Sequence, residues 1–363
     1  MSFITLIILF LATFLLAFLI ERLFTKRSKK GKVEKQLVLS RAMHNPIISP
    51  NEEREWESQG TFNPGVVQDD FGNAHLLYRA VGSDGVSRIG YSSSTDNVHF
   101  DERLPYPVFA MQNPRENFPS ELKRHSFILY PSGGSWGGSE DPRIVRIDGR
   151  VYVSFNTFDG WDFIRVSVIS IDENDFFAKR WNWTRPLFLS PTNEVNKNWV
   201  MFPEKIHGKF AILHSVSPEV LVDFVDRLED LAFGRQTIKS HFGQKKPRES
   251  WDSWSRGAGP PPIKTEKGWL VLYHAIDKNE PGRYKLGALL LDLADPRKIL
   301  ARGSEPLLVP DAWYENDWKP GIVYVCGALV KDGTLFVYYG GGDKYVCVAS
   351  APLQKVLGTL ERV

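Results

Sequence analysis

The chain has 363 residues, and its 45 Lys and Arg nearly balance its 43 Asp and Glu, which leaves a formal net charge of +2 at pH 7. This balance gives no global reason to expect a nucleic-acid partner. Two Cys in this length do not make a disulfide scaffold. Because Cys326 and Cys347 both lie in apolar runs, we expect buried thiols.

The first 20 residues predict a membrane anchor. Residues 3–20 are apolar apart from Thr5 and Thr13, which is about the minimum for a helix that spans a bilayer. A cleaved signal peptide is the alternative, but no basic residue precedes the run and no small-residue cleavage motif follows it. Basic residues follow instead: Arg22, Lys26, Arg27, Lys29, Lys30 and Lys32. Because positive charge marks the cytoplasmic side, we expect a single-pass membrane protein with a cytoplasmic body.

Strand-like repeats make up the rest of the chain. Aromatic residues reach 13% and include 11 Trp, which favours an all-β fold and also suits the stacking of sugar rings. Apolar runs recur at residues 74–93, 151–170, 209–214, 269–291 and 335–349. Most follow a turn that contains glycine: Asp148-Gly149, His207-Gly208, Lys267-Gly268 and Asp332-Gly333.

Five such repeats, about 60 to 75 residues apart, predict a five-bladed β-propeller. We therefore predict an anchor over residues 1–20, a basic linker over 21–40 and a propeller domain over 41–363. A β-sandwich with an extension is the alternative architecture. The one helical candidate covers residues 218–231, where apolar side chains recur near helical spacing, but we interpret this stretch as an insertion or an irregular blade strand.

The motif Glu140-Asp141-Pro142-Arg143 opens the second repeat. Because Pro142 restricts the residue before it, we expect extended backbone geometry at Asp141. A carboxylate beside a guanidinium is either an acid–base device or a structural ion pair, and the motif alone does not distinguish the two.

Polar residues occupy comparable places in the other repeats: Asn63, Arg79, Arg88, Lys197, Asn198, Lys205, His214, His274 and Asp343. The blades of a propeller surround one axis, so residues at the strand ends converge on a central pocket. No metal or cofactor is predicted, because the 8 His are scattered and neither His-x-x-His nor Cys-x-x-Cys occurs. Glycines 340–342 predict a tight turn between two strands.

Taken in order, these segments resemble glycoside hydrolase family 130, the β-mannoside phosphorylases and β-mannosidases with a five-bladed propeller. The resemblance runs from about residue 63 to residue 349. Its elements include Asn63-Pro64, Leu77-Tyr78-Arg79-Ala80, Ser87-Arg88-Ile89-Gly90, Glu140-Asp141-Pro142-Arg143, Phe202-Pro203-Glu204-Lys205-Ile206, Gly257-Ala258-Gly259-Pro260, Cys326-Gly327 and Tyr338-Tyr339-Gly340. It implies an enzyme that cleaves or forms β-mannosidic bonds with inversion.

The resemblance also implies roles for individual residues. Asp141 is expected to be the general acid, which passes its proton to the glycosidic oxygen through a mannose hydroxyl. The residues expected to bind or surround the sugar are Asn63, Arg79, Arg88, Glu140, Arg143, Lys197, Asn198 and Asp343. The residues expected near an incoming phosphate, the only co-substrate predicted, are Arg165, Lys205 and His214.

Two features depart from the family pattern. The phosphorylases commonly have an Arg directly after the His of the third repeat, whereas Ser215 follows His214 here. This loss weakens the case for a phosphate site. Hydrolysis would instead need a carboxylate to activate water, for which Glu204, Glu219 and Glu249 are candidates. The predicted anchor suggests a lipid-linked or surface-glycan substrate. A membrane-anchored mannosyltransferase and a non-catalytic glycan-binding propeller remain the alternative functions.

Overall fold

Antiparallel sheets dominate the computed structural model, which describes residues 37–111, 132–160, 163–240 and 248–363. We name the sheets blades 1 to 5 in chain order. Blade 1 contains β2 (Gly60–Gln68), β3 (Ala74–Val81), β4 (Val86–Ser94) and β5 (Glu102–Arg103). Blade 2 contains β6 (Gly137–Ile147), β7 (Arg150–Phe158), β8 (Ile164–Asp172) and β9 (Leu187–Phe188). A short parallel contact between β4 and β6 links these two blades.

The remaining blades follow the same plan. Blade 3 contains β10 (Val200–Met201), β11 (Phe210–Ser215) and β12 (Leu221–Val225). Blade 4 contains β13 (Trp254–Ala258), β14 (Ile263–Thr265), β15 (Gly268–Ile276), β16 (Tyr284–Leu291), β17 (Ile299–Gly303) and the C-terminal β21 (Leu360–Arg362). Blade 5 contains β18 (Val323–Lys331), β19 (Thr334–Gly341), β20 (Tyr345–Pro352) and the N-terminal β1 (Ser40–Arg41).

Helices are short within these ranges. The α-helices are α1 (Glu173–Phe177), α2 (Leu228–Ala232) and α3 (Leu353–Leu357), and two single 3-10 turns cover Glu55–Glu57 and Trp313–Glu315. The helical candidate over residues 218–231 contains a blade strand, as its strand interpretation expected: Leu221–Val225 pairs with β11, and a helix begins only at Leu228. Apolar spacing over so short a stretch does not separate a buried strand from a helix.

The predicted glycine turns set the hairpins. Asp148, His207 and Asp332 have φ of 50°, 53° and 49°, and the glycine after each also has positive φ. Two consecutive residues with positive φ form the tight turn whose twist matches paired strands. These turns join β6 to β7, link β10 to β11 and join β18 to β19.

Buried apolar side chains fill the space between successive blades. Between blades 5 and 1 they include Tyr338, Val346, Val66 and Leu76. Between blades 1 and 2 they include Leu77, Tyr91, Ile144 and Val153. Blades 2 and 3 share Val145, Val166, Trp199 and Ile212, and blades 3 and 4 share Phe202, Leu213, Trp269 and Val271.

The same order continues around to blade 5. The backbone N–H of Val325 on β18 donates to His274 on β15 over 2.8 Å, which connects blade 4 to blade 5. Every blade thus packs on the next, and blade 5 packs on blade 1. The all-β prediction is confirmed, and the cyclic order of five sheets agrees with a five-bladed propeller. Cys326 and Cys347 are buried free thiols, as expected.

The predicted transmembrane helix is not supported, and the fold and localisation predictions are corrected on this point. No helix in the described ranges is long and apolar enough to cross a membrane. The predicted anchor at residues 1–20, and the linker as far as residue 36, lie outside the described residues.

The N-terminal strand joins blade 5, where β1 pairs with β20. Arg41 on β1 binds the buried carboxylate of Glu315 through two bonds, of 2.7 Å from Nε and 2.8 Å from Nη2. The hydroxyl of Tyr339 donates to the same carboxylate over 2.8 Å. This buried ion pair therefore fastens the N-terminal strand to the last blade.

We expect Arg41→Ala to lower the free energy of unfolding by about 3 to 5 kcal/mol, because the substitution leaves the Glu315 carboxylate buried without its cation. Urea denaturation measures this loss. Arg88→Ala is the matched control, since Arg88 pairs with the exposed Asp84 and its loss is expected to cost less than about 1 kcal/mol. Equal losses in the two variants would contradict the fastening role of Arg41.

Candidate active site

The first strands of four blades carry β-bulges at similar positions. The pairing register shifts between Phe62 and Gly65, between Glu140 and Arg143, between Ser255 and Ala258, and between Val325 and Gly327. A bulge redirects the side chain of the extra residue and locally interrupts the ladder. Strands β2, β6 and β18 also contact one another, so their bulges face a common space.

Four polar residues at this space have left-handed backbone geometry. Asn63, Asp141, Asn198 and Asp343 have φ of 50°, 55°, 63° and 52°. The extended geometry predicted for Asp141 is therefore wrong, because the bulge in β6 overrides the local preference set by Pro142. Such geometry costs a residue about 1 to 3 kcal/mol, and outside tight turns it clusters at functional sites. Asn and Asp tolerate it better than other side chains.

These residues line a cavity with an empty volume of about 760 Å³, including its opening to solvent. The cavity is lined by Asn63, Arg79, Ser132, Gly133, Asp141, Lys197, Asn198, Arg256, Tyr284, Lys319, Ile322, Tyr324 and Asp343. All five blades or the segments directly beside them contribute. Four of these side chains are cationic and two are carboxylates, so the lining favours an anionic ligand.

Asp141 is buried and bonded from blade 1. Its Oδ1 accepts a hydrogen bond of 2.7 Å from Asn63 Nδ2 and one of 3.2 Å from Arg79 Nη1. Burial by itself would raise the pKa of the Asp141 carboxyl. The charges of Arg79, Lys197 and Arg143, together with the bond from Asn63, outweigh burial and lower that pKa below its ordinary value. The carboxyl is therefore ionised at neutral pH.

Glu140 lies behind the cavity and neutralises two of its cations. Arg79 Nη2 donates to Glu140 Oε1 over 3.0 Å, and Lys197 Nζ donates to Oε2 over 3.0 Å. Ser132 Oγ donates to the same carboxylate over 3.0 Å. The Glu140 carboxylate is fully buried, so it is held for positioning these cations and does not contact the open cavity.

Arg143 braces the opposite wall. Its Nη1 donates to the backbone oxygen of Asp141 over 2.9 Å, and its Nη2 donates to Asn198 Oδ1 over 2.9 Å. The hydroxyl of Tyr324 also donates to Asn198 Oδ1, over 2.9 Å. The Tyr324 ring stacks on His274, with ring centroids 4.0 Å apart. Burial, with the nearby charge of Arg143, lowers the pKa of His274 to about 3, so this imidazole is neutral.

The cations at the mouth of the cavity differ in their partners. Lys319 Nζ donates to Asp343 Oδ2 over 2.6 Å. Arg256 is exposed, and its Nε donates to the hydroxyl of Tyr284 over 3.3 Å. Among the residues that the structure describes, Arg256 has no carboxylate partner. Its charge is therefore available to an anion in the cavity.

The structure brings together most of the residues predicted to bind sugar. Asn63, Arg79, Asp141, Lys197, Asn198 and Asp343 all line the cavity, and Glu140 and Arg143 lie directly behind it. Arg88 does not join them, because its guanidinium turns to Asp84 at the surface.

The three residues predicted near phosphate lie elsewhere. Arg165 binds the backbone oxygen of Ser190. Lys205 pairs with Asp148 over 2.9 Å, at the outer side of blade 3. His214 is buried against Trp199 and bonds to Asp223 over 2.8 Å.

Sequence reasoning missed five lining residues with polar side chains: Ser132, Arg256, Tyr284, Lys319 and Tyr324. For two of them, the sequence contained a feature that could have indicated a place at the site. Arg256 directly precedes Gly257, where the bulge of β13 lies, and Tyr324 lies just before the bulge at Cys326. The position of Lys319 in a loop gave no such signal. Within the described part of the chain, no group of three or more His, Cys, Asp or Glu side chains could hold a metal ion.

The carboxylates considered for hydrolysis do not line the cavity. Glu204 pairs with Lys264 over 2.6 Å at the surface. Glu249 pairs with Lys278, and its side chain is 83% exposed. Glu219 is also exposed. Of the described lining residues, Asp141 and Asp343 carry the carboxylates.

Comparisons with known proteins identify the family of this chain. The family model described as beta-1,4-mannooligosaccharide phosphorylase, glycoside hydrolase family 130, matches residues 39–362. The chain is 36% identical over 328 residues to a 1,2-beta-oligomannan phosphorylase of Thermoanaerobacter sp. (strain X514), which covers 88% of this chain and 98% of that protein. It is 34% identical over 335 residues to a beta-1,2-mannobiose phosphorylase of the same strain, with the same coverage.

The fold is similar to that of beta-1,2-mannobiose phosphorylase from Listeria innocua, solved with beta-1,2-mannobiose. The TM-score is 0.66 at 24% identity, over 88% of this chain and 98% of that one. The chain therefore belongs to glycoside hydrolase family 130 and is an enzyme that acts on β-mannosidic bonds.

Proposed function

We propose that the protein is an inverting phosphorylase that transfers the terminal mannose of β-1,2-linked oligomannosides to inorganic phosphate. The observation that carries this proposal is the cationic lining of the cavity, in which Arg256 lacks a described carboxylate partner. The names of the two Thermoanaerobacter relatives support the β-1,2 linkage. The lipid-linked substrate expected from the predicted anchor has no support in the described residues and is not part of the proposal.

Asn63, Asp141 and Asp343 form the mannose-binding end of the cavity in this proposal. Their carboxylate and amide oxygens accept hydrogen bonds from sugar hydroxyls. Asn63 Oδ1 is buried and has no hydrogen-bond partner among the described residues, although the side chain lines the cavity. A buried acceptor without a partner is costly, and a mannose hydroxyl would satisfy it.

Phosphate binds at the cationic end, between Lys197 and Arg256, in place of the predicted set of Arg165, Lys205 and His214. The hydroxyl of Tyr284 accepts a bond from Arg256 at the cavity and can donate its own hydrogen to a phosphate oxygen, whereas the hydroxyl of Tyr324 already donates to Asn198. With phosphate as the nucleophile, no protein base is needed to activate water. Attack on the far face of the sugar inverts the anomeric centre and yields α-mannose 1-phosphate.

The lowered pKa of Asp141 determines how the proton enters. The glycosidic C1–O bond breaks, a C1–O bond to phosphate forms, and the leaving oxygen must gain one proton. Asp141 is ionised in the free enzyme, so the ternary complex gains this proton when phosphate binds as its monoanion, whose second proton dissociates near neutral pH. Asp141 then relays the proton to the leaving oxygen. In the synthetic direction, the ionised carboxyl accepts the proton of the acceptor hydroxyl.

Hydrolysis is the second candidate, since Asp343 is a carboxylate in the same cavity and an inverting hydrolase needs a second carboxylate as its base. Its ion pair with Lys319 disfavours this role, because the Asp343 carboxylate is already engaged by a cation and does not stand ready to accept a proton from water.

The direct test is to incubate the full-length protein with β-1,2- and β-1,4-mannobiose, with and without phosphate, and to follow the products by NMR. We expect α-mannose 1-phosphate only when phosphate is present, and at least about tenfold faster turnover of the β-1,2 substrate. Free mannose released at an equal rate without phosphate would support hydrolysis instead.

Asp141→Asn should lower kcat for β-1,2-mannobiose phosphorolysis by about 100-fold to 10,000-fold, because the amide cannot supply the proton to the leaving oxygen. The aryl substrate 2,4-dinitrophenyl β-mannoside provides the control, since its leaving group departs without protonation. A much smaller loss with this substrate is expected from an acid role. Equal losses with both substrates would assign Asp141 to binding alone.

Arg256→Ala should raise KM for phosphate by about 10-fold to 100-fold, because a hydrogen bond to a charged group is worth about 1.5 to 3 kcal/mol. KM for mannobiose should change less than about twofold. Lys205→Ala is the control, since Lys205 is a cation that the sequence predicted near phosphate but that lies on the outer side of blade 3. An effect of Lys205→Ala on KM for phosphate, with none from Arg256→Ala, would overturn the placement.

A further inference from the structure

A second cleft adjoins the reaction cavity. Its empty volume is about 570 Å³ including its opening, and Gly133 and Asp343 line both spaces. Its other lining residues belong to the segments around β2, β3 and β6 and to the loop before β18: Gln59, Gly60, Phe62, Val81, Gly82, Ser83, Gly85, Gly134, Trp136 and Trp318. None of them has a role in the mechanism described above.

Two tryptophans at this cleft are exposed. The side chains of Trp136 and Trp318 are 56% and 53% exposed. A single exposed apolar side chain is common, but two that line one cleft form an apolar patch of the kind that marks a ligand-binding groove. Both tryptophans line the cleft, next to glycines such as Gly85 and Gly134.

Each indole rests on a glycine. A Cβ added to Gly85 would lie 2.8 Å from Cδ1 of Trp136, and one added to Gly134 would lie 2.7 Å from Cη2 of Trp318. Both glycines also have positive φ, of 69° and 83°, which other residues rarely adopt. Because glycine has no Cβ, each indole can pack directly against the backbone at Gly85 or Gly134. This packing holds both rings in position before a ligand binds.

The remaining lining combines glycines, Phe62 and Val81 with a few polar side chains. The exposed amide of Gln59 and the hydroxyl of Ser83 lie at its sides, and the carboxylate of Asp343 lies where it meets the reaction cavity. Flat apolar rings beside donors and acceptors suit a molecule with one apolar face and a rim of hydroxyls. A pyranose ring has this character, whereas an apolar ligand would leave the polar groups unsatisfied.

We infer that this cleft is a carbohydrate-binding subsite in which Trp136 and Trp318 hold the acceptor part of the mannoside, beyond the ring that reacts at Asp141. The inference rests on the proposed function, because it assumes that one oligosaccharide occupies both the reaction cavity and the cleft. Gly133 and Asp343 line both spaces, so a single chain of sugars can pass from one to the other. In synthesis, mannose 1-phosphate occupies the reaction cavity and the acceptor sugar occupies the cleft.

The test measures synthesis by the full-length protein from mannose 1-phosphate and β-1,2-mannobiose as acceptor. Trp136→Ala and Trp318→Ala should each raise KM for the acceptor by about fivefold to tenfold, the scale of one lost ring contact. KM for mannose 1-phosphate should stay within about twofold. Trp313→Ala is the matched control, because Trp313 is 61% exposed but packs on Tyr314 and Tyr345 and does not line either space.

A second measurement separates this inference from the proposed function. Intrinsic fluorescence of the protein, titrated with β-1,2-mannotriose without phosphate, reports binding whether or not turnover occurs. Quenching that either cleft variant weakens, and that Trp313→Ala retains, supports the subsite even if the wild type makes no product. If the wild type is active and both cleft variants keep its acceptor KM and its quenching, the subsite is overturned while the phosphorylase proposal stands.

Discussion

The reaction cavity depends on the burial of one guanidinium. Arg79 is 2% exposed, and its donors reach Ser87, Ser132, Ser135, Glu140 and Asp141. Removing a charge from water costs several kcal/mol unless paired charges and hydrogen bonds replace the lost hydration. Arg79 comes from blade 1, whereas both of its carboxylate partners come from the bulge of blade 2. The requirement to neutralise this charge therefore holds the two blades together at the place where the chemistry is proposed.

Glu140 and Asp141 are adjacent in the chain, but their carboxylates lie on opposite sides of strand β6. They therefore have different surroundings. Glu140 lies behind the cavity wall and compensates Arg79 and Lys197. The bulge turns Asp141 to the other side, where it faces the cavity. Both carboxylates pair with Arg79, and Glu140 also pairs with Lys197. Glu140 is therefore fixed behind the wall by two cations, whereas Asp141 shares one of them and faces the cavity, which is the arrangement that the proposed acid role needs.

The fold could be predicted from the sequence more completely than the residues of the site. Period-two apolar runs and Asp-Gly or His-Gly turns are local signals, and they located strands in all five blades. Asp141 and Asn63 were also found, because each precedes a proline at the bulge. The left-handed geometry of Asp141 was missed, because tertiary pairing overrides what Pro142 prefers locally. Arg165, Lys205 and His214 were placed near phosphate by resemblance alone, whereas their strand positions direct them to Ser190, Asp148 and Asp223. Loop residues such as Lys319 lie outside the alternating strand pattern, so the sequence does not indicate which part of the fold they contact.

Under the proposed function, charge at the cavity mouth favours phosphorolysis over hydrolysis. Both reactions need one acid and an attack on the opposite face of the sugar, so Asp141 and the mannose-binding residues serve either. The nucleophile differs: water needs a carboxylate to deprotonate it, whereas phosphate already carries charge and needs cations to hold it. Glu204 and Glu249 are engaged with surface lysines on the outside of the propeller, and Asp343 is engaged with Lys319. Under the proposed function, Arg256 meets the nucleophile, so the positive charge comes from a different blade than Ser215, the position where the phosphorylases commonly have Arg.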